Sequence, residues 1–216
     1  MKLKVNNVFK SLQGEGPYSG RKCVFVRLTG CIAPFCSFCD SKYSWNEGTD
    51  MSIHSILGKI STLYGTKKPN TKPLVVITGG EPFLQDEIYT FIVALLEKDY
   101  EVQMETSGKV DFEKLLGVTN VVSPKYINNK FHITKQAIKN GDYFKFVVKN
   151  KTDVRKANKF INQHNLDKSC IYLMPLSTYT DEDITIKQAI WNQCVEYDYK
   201  YCERIHVNVW GQRKGV

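Results

Sequence analysis

No apolar run in this chain approaches the roughly 20 residues that a membrane span requires. Its start, Met1-Lys2-Leu3-Lys4-Val5-Asn6-Asn7, lacks the apolar stretch of a signal peptide. Seven cysteines, an odd number in 216 residues, make a disulfide framework a poor explanation. A reducing, cytoplasmic setting is the expectation, with no membrane partner. Also missing are an arginine-rich run and an interleaved aromatic platform. The net charge of +8 therefore reads as a lysine-rich solvated surface, densest at Lys67-Lys68 and Lys149-Asn150-Lys151, and direct nucleic-acid binding is not expected. Internal repeats, low-complexity tracts and linkers are absent too, so one domain over residues 1–216 is expected.

What stands out is Cys31-Ile32-Ala33-Pro34-Phe35-Cys36-Ser37-Phe38-Cys39-Asp40-Ser41, with three cysteines in nine residues. Cys36 and Cys39 alone leave zinc, a redox pair and a cluster open. Structural zinc usually takes four protein ligands. Three close cysteines fit an iron–sulfur cluster that keeps one iron free of protein, since full ligation would take four. Pro34 and the lack of apolar periodicity make the segment a loop.

Elsewhere, short apolar runs alternate with helical stripes. Val24 to Leu28 reads as a strand feeding the cysteine loop, and Leu74 to Thr78 as a second. Further strands are expected at Glu101–Glu105, Asn120–Ser123, Tyr143–Val148, Cys170–Met174 and Arg204–Val209. Helices are expected around Ile53–Tyr64 (capped by Thr49 or Ser52), Ile88–Leu96, Phe112–Leu116, Val154–Ile161 and Ile186–Cys194. Such alternation implies right-handed βαβ units, a parallel sheet, and ligands at the carboxyl ends of the strands. One rim then carries the cysteine loop, Thr78-Gly79-Gly80-Glu81-Pro82, Thr106-Ser107-Gly108, Ser123-Pro124-Lys125 and Met174-Pro175-Leu176.

A three-cysteine loop after one strand, with Gly79-Gly80-Glu81-Pro82 after the next, resembles the radical S-adenosylmethionine (SAM) enzymes. Ser11-Leu12-Gln13-Gly14-Glu15-Gly16, Cys39-Asp40-Ser41, Ser123-Pro124-Lys125 and His206 through Trp210-Gly211 narrow the resemblance to the 7-carboxy-7-deazaguanine synthases. It runs from about Phe9 to the C-terminus. It implies a radical SAM partial (β/α) barrel that contracts the ring of 6-carboxy-5,6,7,8-tetrahydropterin to 7-carboxy-7-deazaguanine with loss of ammonia, in queuosine and 7-deazapurine biosynthesis. By the same resemblance Cys31, Cys36 and Cys39 hold a [4Fe–4S] cluster. Phe38, Cys39, Asp40, Gly80, Glu81, Ser123, Pro124, Lys125, Met174, Pro175, Leu176 and Ser177 line the SAM site, with Glu81 a possible acceptor for the cofactor ammonium. The substrate falls to the backbone of Leu12, Gln13 and Gly14, to Arg27 for its carboxylate, and to Thr78, Glu15 and His206. Ser41 is placed on Mg²⁺, and Val216 takes the role of the C-terminal carboxylate that some members use on substrate. The glycine pair is expected to let the cofactor approach the backbone. The resemblance further implies a homodimer and a reductase or flavodoxin-type electron donor. The superfamily loop usually leaves three residues between its first two cysteines; here four separate Cys31 from Cys36, which reads as a loop adjustment.

Two other readings share some features. A glycyl-radical activase would use the cysteine loop but gives no reason for Leu12-Gln13-Gly14-Glu15-Gly16 or Arg27. A zinc-stabilised nucleic-acid-binding protein would rest on the cysteines and the charge. Cys23, Cys170, Cys194 and Cys202 are scattered and read as inert thiols. His54, His132 and His164 receive no role, Asp181-Glu182-Asp183 reads as an acidic helix start, and Glu105 either accepts a hydrogen bond at the rim or closes a strand.

Overall fold

Alternating residues of a strand face opposite sides of its sheet, and here one side is almost wholly aliphatic while the other carries the polar chemistry. The computed structural model describes residues 1–65, 71–176, 181–211 (181–183 as backbone), 213 and 215. Its strands are β1 (Lys2–Leu12), β2 (Lys22–Leu28), β3 (Thr49–Ser52), β4 (Leu74–Gly79), β5 (Glu101–Thr106), β6 (Val118–Val122), β7 (Lys125–Ile127), β8 (Lys130–His132), β9 (Tyr143–Val148), β10 (Ile171–Pro175) and β11 (Lys200–Tyr201). The helices are α1 (Ile53–Tyr64), α2 (Ile88–Glu97), α3 (Lys135–Asn140), α4 (Lys151–Gln163), α5 (Asp181–Tyr197) and α6 (Ile205–Trp210).

Nine strands form one sheet in the order β11-β10-β9-β6-β5-β4-β2-β1-β3, and β7 pairs with β8 in a separate hairpin. Every pairing from β2 across to β11 is parallel, whereas β1 runs antiparallel to both β2 and β3. Both edges stay apart, so the sheet is an open, partial barrel. The expected α/β class and the rim of strand ends are both present.

On the outer side, Val24, Val26 and Leu28 of β2, Val75 and Ile77 of β4, and Val102 and Met104 of β5 pack against Ile56, Ile60, Phe91, Ile92 and Leu95 of α1 and α2. Phe144, Phe146, Ile171 and Leu173 do the same beneath Val154, Ala157 and Ile161 of α4 and Ile190 of α5. Ser52 caps α1, its Oγ accepting from the Ser55 N–H at 3.1 Å. Parallel register then lines up the inner rows: Phe25 lies beside Val76 and Val76 beside Gln103, while Arg27 lies beside Thr78.

Two local expectations are corrected. Arg204–Val209 is not a strand: Ile205–Trp210 forms α6, and β11 already occupies the sheet edge. Phe112–Leu116 is not a helix, because side chains take its backbone groups. Asn140 Nδ2 donates to the Phe112 carbonyl at 2.6 Å, and the Glu113 N–H donates to Tyr89 Oη at 2.7 Å. Strands β1, β3, β7, β8 and β11 and helix α3 went unforeseen.

Candidate active site

The cysteine loop leaves the end of β2 and is tied to its neighbours at both ends. Gly30 donates its N–H to the Ser44 carbonyl at 3.0 Å and accepts the Glu81 N–H at 2.7 Å. Lys109, just beyond β5, donates through Nζ to the carbonyls of Ile32 and Pro34. Phe35 stacks on Trp45 with ring centroids 4.6 Å apart. Cys31, Cys36 and Cys39 are all partly exposed, unpaired, and line one cavity.

Burial raises the thiols of Cys31 and Cys39, and the neighbouring Cys36 raises each further. Three thiols within electrostatic reach of one another, on one wall, are a donor set that a bound cation would ionise. Among the described residues no three His, Cys, Asp or Glu side chains converge on a single metal ion. Structural zinc usually takes four protein ligands, whereas a cluster held by three cysteines keeps one iron free of protein.

The glycine pair also permits a close contact inside the protein. A Cβ on Gly80 would sit 1.7 Å from the Gly30 carbonyl oxygen, and one on Gly79, at φ +142°, 2.2 Å from that of Leu28. The backbone that approaches is the root of the cysteine loop. Glu81 is fully buried, its Oε1 accepting from Thr106 Oγ1 at 2.7 Å and its Oε2 from the Ser107 N–H at 2.9 Å and from Ser107 Oγ. Glu81 thus braces the β4 and β5 rims from behind and does not line the cavity. Pro124 and Pro175 are likewise buried outside the cavity wall, and Ser177 and Val216 lie outside the described residues.

Phe38, Cys39, Asp40, Ser41, Gly80, Ser123, Lys125, Met174 and Leu176 do line the cavity, along with Leu12, Gln13, Glu15, Arg27, Thr78 and His206. Arg27, on the inner face of β2, is held between Phe9 and Tyr43, its guanidinium carbon 5.4 Å and 5.6 Å from the two ring centroids. It also donates to Tyr43 Oη. Such a guanidinium presents a pre-oriented planar fork. Lys125 donates to Ser123 Oγ at 2.6 Å; burial pulls its ammonium below the ordinary lysine range.

The turn between β1 and β2 is tied down through its backbone. Gln13 donates its N–H to the Arg21 carbonyl at 2.8 Å and accepts the Gly20 N–H at 2.7 Å, while the Gly14 carbonyl accepts the Ile205 N–H at 3.1 Å. A Cβ on Gly14 would fall 2.3 Å from His206 Nδ1, so glycine allows α6 to close over this turn. Arg204 completes the closure, donating to Asp40 at 3.0 Å.

Lys145, Glu105, Gln103 and Lys109 received no firm role from sequence. Lys145 sits mid-strand in β9 with a side chain 5% exposed, ion-paired to Glu15 at 2.6 Å and Glu105 at 2.8 Å. A lysine inside an otherwise apolar strand was the available signal, since lysine is almost never buried unpaired. By contrast, burial pushes the thiols of Cys23 and Cys194 up to about 12 and that of Cys202 up to about 11, which suits inert thiols.

A parallel sheet whose rim carries three thiols beside a Gly-Gly-Glu-Pro turn defines a class, and residues 27–186 match the Radical SAM superfamily model. The chain is 31% identical to a 7-carboxy-7-deazaguanine synthase of Pyrobaculum aerophilum, covering 99% of this chain and 97% of the relative. A 7-carboxy-7-deazaguanine synthase of Hyperthermus butylicus is 34% identical over 96% of this chain and 92% of its own. One from Escherichia coli K12 is 31% identical over 84% and 88%. A crystal structure of QueE from Escherichia coli matches the fold with a TM-score of 0.77 over 95% of both chains, at 23% identity. The chain belongs to the 7-carboxy-7-deazaguanine synthase family of radical SAM enzymes, whose cofactors are a [4Fe–4S] cluster and SAM.

Proposed function

We propose that this protein converts 6-carboxy-5,6,7,8-tetrahydropterin to 7-carboxy-7-deazaguanine with loss of ammonia, on the way to queuosine and related 7-deazapurines. One observation carries the assignment: Arg27, an oriented carboxylate-binding fork, faces the same cavity as the three thiols. When bound, the cluster and SAM supply a carbon radical. Cys31, Cys36 and Cys39 would hold the cluster. Phe38, Asp40, Gly80, Ser123, Lys125, Met174 and Leu176 would surround SAM, with Ser177 next along the chain.

Arg27 takes the substrate carboxylate as a bidentate partner. The backbone of Leu12, Gln13 and Gly14, the side chain of Thr78, and Glu15 and His206 read the pterin edge. Ser41 supplies one oxygen to a Mg²⁺ whose other ligands are water and substrate, in keeping with the reluctance of this ion to dehydrate. We assign the whole chain to one domain, active as a homodimer in the cytoplasm and reduced by a reductase or flavodoxin-type donor. Among the described residues no helix is long and apolar enough to cross a membrane.

Anaerobic reconstitution with iron and sulfide, followed by reductant, SAM, Mg²⁺ and the carboxytetrahydropterin, tests this assignment. Formation of the deazaguanine acid is expected. Deoxyadenosine without that product would move the substrate elsewhere and favour a glycyl-radical activase. Bound zinc with neither iron nor cofactor cleavage would return the site to a structural metal.

A further inference from the structure

The inner face of the sheet carries a buried charge cluster of which the functions above use Glu15 alone, leaving Lys145 and Glu105 without a role. Lys145 comes from β9, Glu105 from β5, and Glu15 from the turn after β1, and all three line the cavity. The two carboxylates meet one ammonium through their Oε2 atoms, at 2.6 Å for Glu15 and 2.8 Å for Glu105. Their other oxygens differ. Glu105 Oε1 accepts from Gln103 Nε2 at 2.6 Å and from Gln13 Nε2 at 3.4 Å, so this carboxylate is closed by protein. Glu15 Oε1 takes no hydrogen bond among the described residues, yet no sealed side-chain oxygen there lacks a partner. It is therefore open at the cavity wall.

Gln13 fixes the same turn from the other side, its Oε1 accepting the Glu15 N–H at 3.2 Å and its Nε2 donating to Gln103 Oε1 at 3.1 Å. Glu15 is thus held by backbone and by one oxygen, with the second oxygen presented. We propose that Lys145 is the positioning residue of this floor, pinning Glu15 by Oε2 so that Oε1 stands ready for an N–H edge of the substrate. An ionised carboxylate only accepts hydrogen bonds, and a charged acceptor holds an N–H donor about twice as strongly as a neutral one. The aminopyrimidinone edge of a pterin presents such donors, so the proposal rests on the substrate assignment above. Without its ammonium, a carboxylate at a buried site protonates or swings toward water. Burial does push the Glu15 carboxyl up, but the Lys145 ammonium outweighs it and holds the group below the usual carboxylate range.

A double-mutant cycle tests the assignment on the reconstituted enzyme, with pterin KM, SAM KM, kcat and thermal melting measured for wild type, E15Q, K145M and E15Q/K145M. Losing either charge should raise the pterin KM by about 100-fold, the scale for truncating one partner of a buried charged pair. The SAM KM should stay near wild type. Because Lys145 acts through Glu15, K145M should change the E15Q enzyme by less than about threefold. A structural brace would give independent, multiplying losses, and that outcome overturns the proposal. E15Q keeps the Lys145–Glu105 pair, so it reports even where K145M fails to fold. A wild-type pterin KM in E15Q overturns the proposal alone, whereas wild-type enzyme that leaves the pterin unchanged overturns the substrate assignment beneath it.

Discussion

Gly80 and Gly30 approach so closely that a single methyl on the first would stand 1.7 Å from the carbonyl oxygen of the second. The contact joins the turn after β4 to the root of the cysteine loop, and the Glu81 N–H closes it on the same oxygen at 2.7 Å. Packing here is backbone on backbone, with no flexible side chain to yield. Gly80→Ala should cost about 3 kcal/mol or more, at the upper end for overpacking. Chemical denaturation of the cluster-free protein measures it, and a midpoint equal to wild type would show that the loop root moves freely. Reconstitution should also load less iron, because the three thiols hang from this contact.

Arg27 is stacked between Phe9 and Tyr43, which suits a fork aimed at a carboxylate. Arg27→Ala should lower kcat/KM for the pterin by about 100-fold or more while the reduced cluster still cleaves SAM. Lysine keeps the charge but loses the fork and the stacking, so Arg27→Lys should recover little. Turnover by either variant at the wild-type rate and KM would remove Arg27 from the substrate site.

Much of the rim was legible because its signals are local. Three cysteines in nine residues, a glycine pair after an aliphatic strand and Ser123-Pro124-Lys125 each announce themselves within a few positions. The floor was only partly legible: the resemblance named Glu15, but its partners Glu105 and Lys145 lie 40 residues apart and Lys145 lies 130 residues from Glu15. The last segment misled for a different reason. Ile205, Val207 and Val209 alternate with polar residues as a strand would, yet a strand needs an open edge, and β11 fills it. The Ile205 N–H bonds Gly14 instead, and α6 follows. Strand β1 did carry a signal, with Leu3 and Val5 buried at alternate positions, before a register shift between Val5 and Asn7 breaks the pattern.

Lys109 bonds two carbonyls between Cys31 and Cys36, and its charge stands beside the Cys31 thiol. This is the stretch lengthened by one residue relative to the usual superfamily spacing, so an anchor there has a reason. Lys109→Met should reduce iron loading and shift the cluster to a more negative reduction potential, because a nearby cation favours the reduced, more negative cluster. Potentiometric titration followed by electron paramagnetic resonance reads the shift. An unchanged potential with full iron content would leave Lys109 as a solvated side chain.

Ser41 lines the cavity and donates through Oγ to Asp40 Oδ1 at 2.9 Å, so its oxygen lone pairs remain available to a hard cation. Ser41→Ala should abolish most of any rate increase given by added Mg²⁺, while Ser41→Thr retains it. A metal response in the alanine variant equal to wild type would place the ion elsewhere.

His206 gives the fold a pH dependence whose sign follows from its surroundings. Burial beneath the Gly14 turn lowers its imidazole from the ordinary range; Glu15 and Asp40 oppose the shift, and Arg204 and Lys145 add to it. The folded protein therefore binds the proton less readily than the unfolded chain, whose imidazole titrates near about 6.5. Between the folded value and that one the unfolded state carries more protons, so stability rises with pH across the window and falls as pH drops through it. Below the folded value no further loss arises from this group. The Glu15, Glu101 and Glu203 carboxyls are also lowered, but their contribution is lost only as pH falls below about 4.3, the unfolded carboxylate value. Glu105, raised by burial, works in the opposite sense in both proteins, so urea midpoints of the reduced, cluster-free protein should fall further between pH 7.5 and pH 5.5 in the wild type than in His206→Asn. Equal drops in the two proteins would mean that His206 does not titrate with folding, and that α6 opens over the Gly14 turn before the chain unfolds.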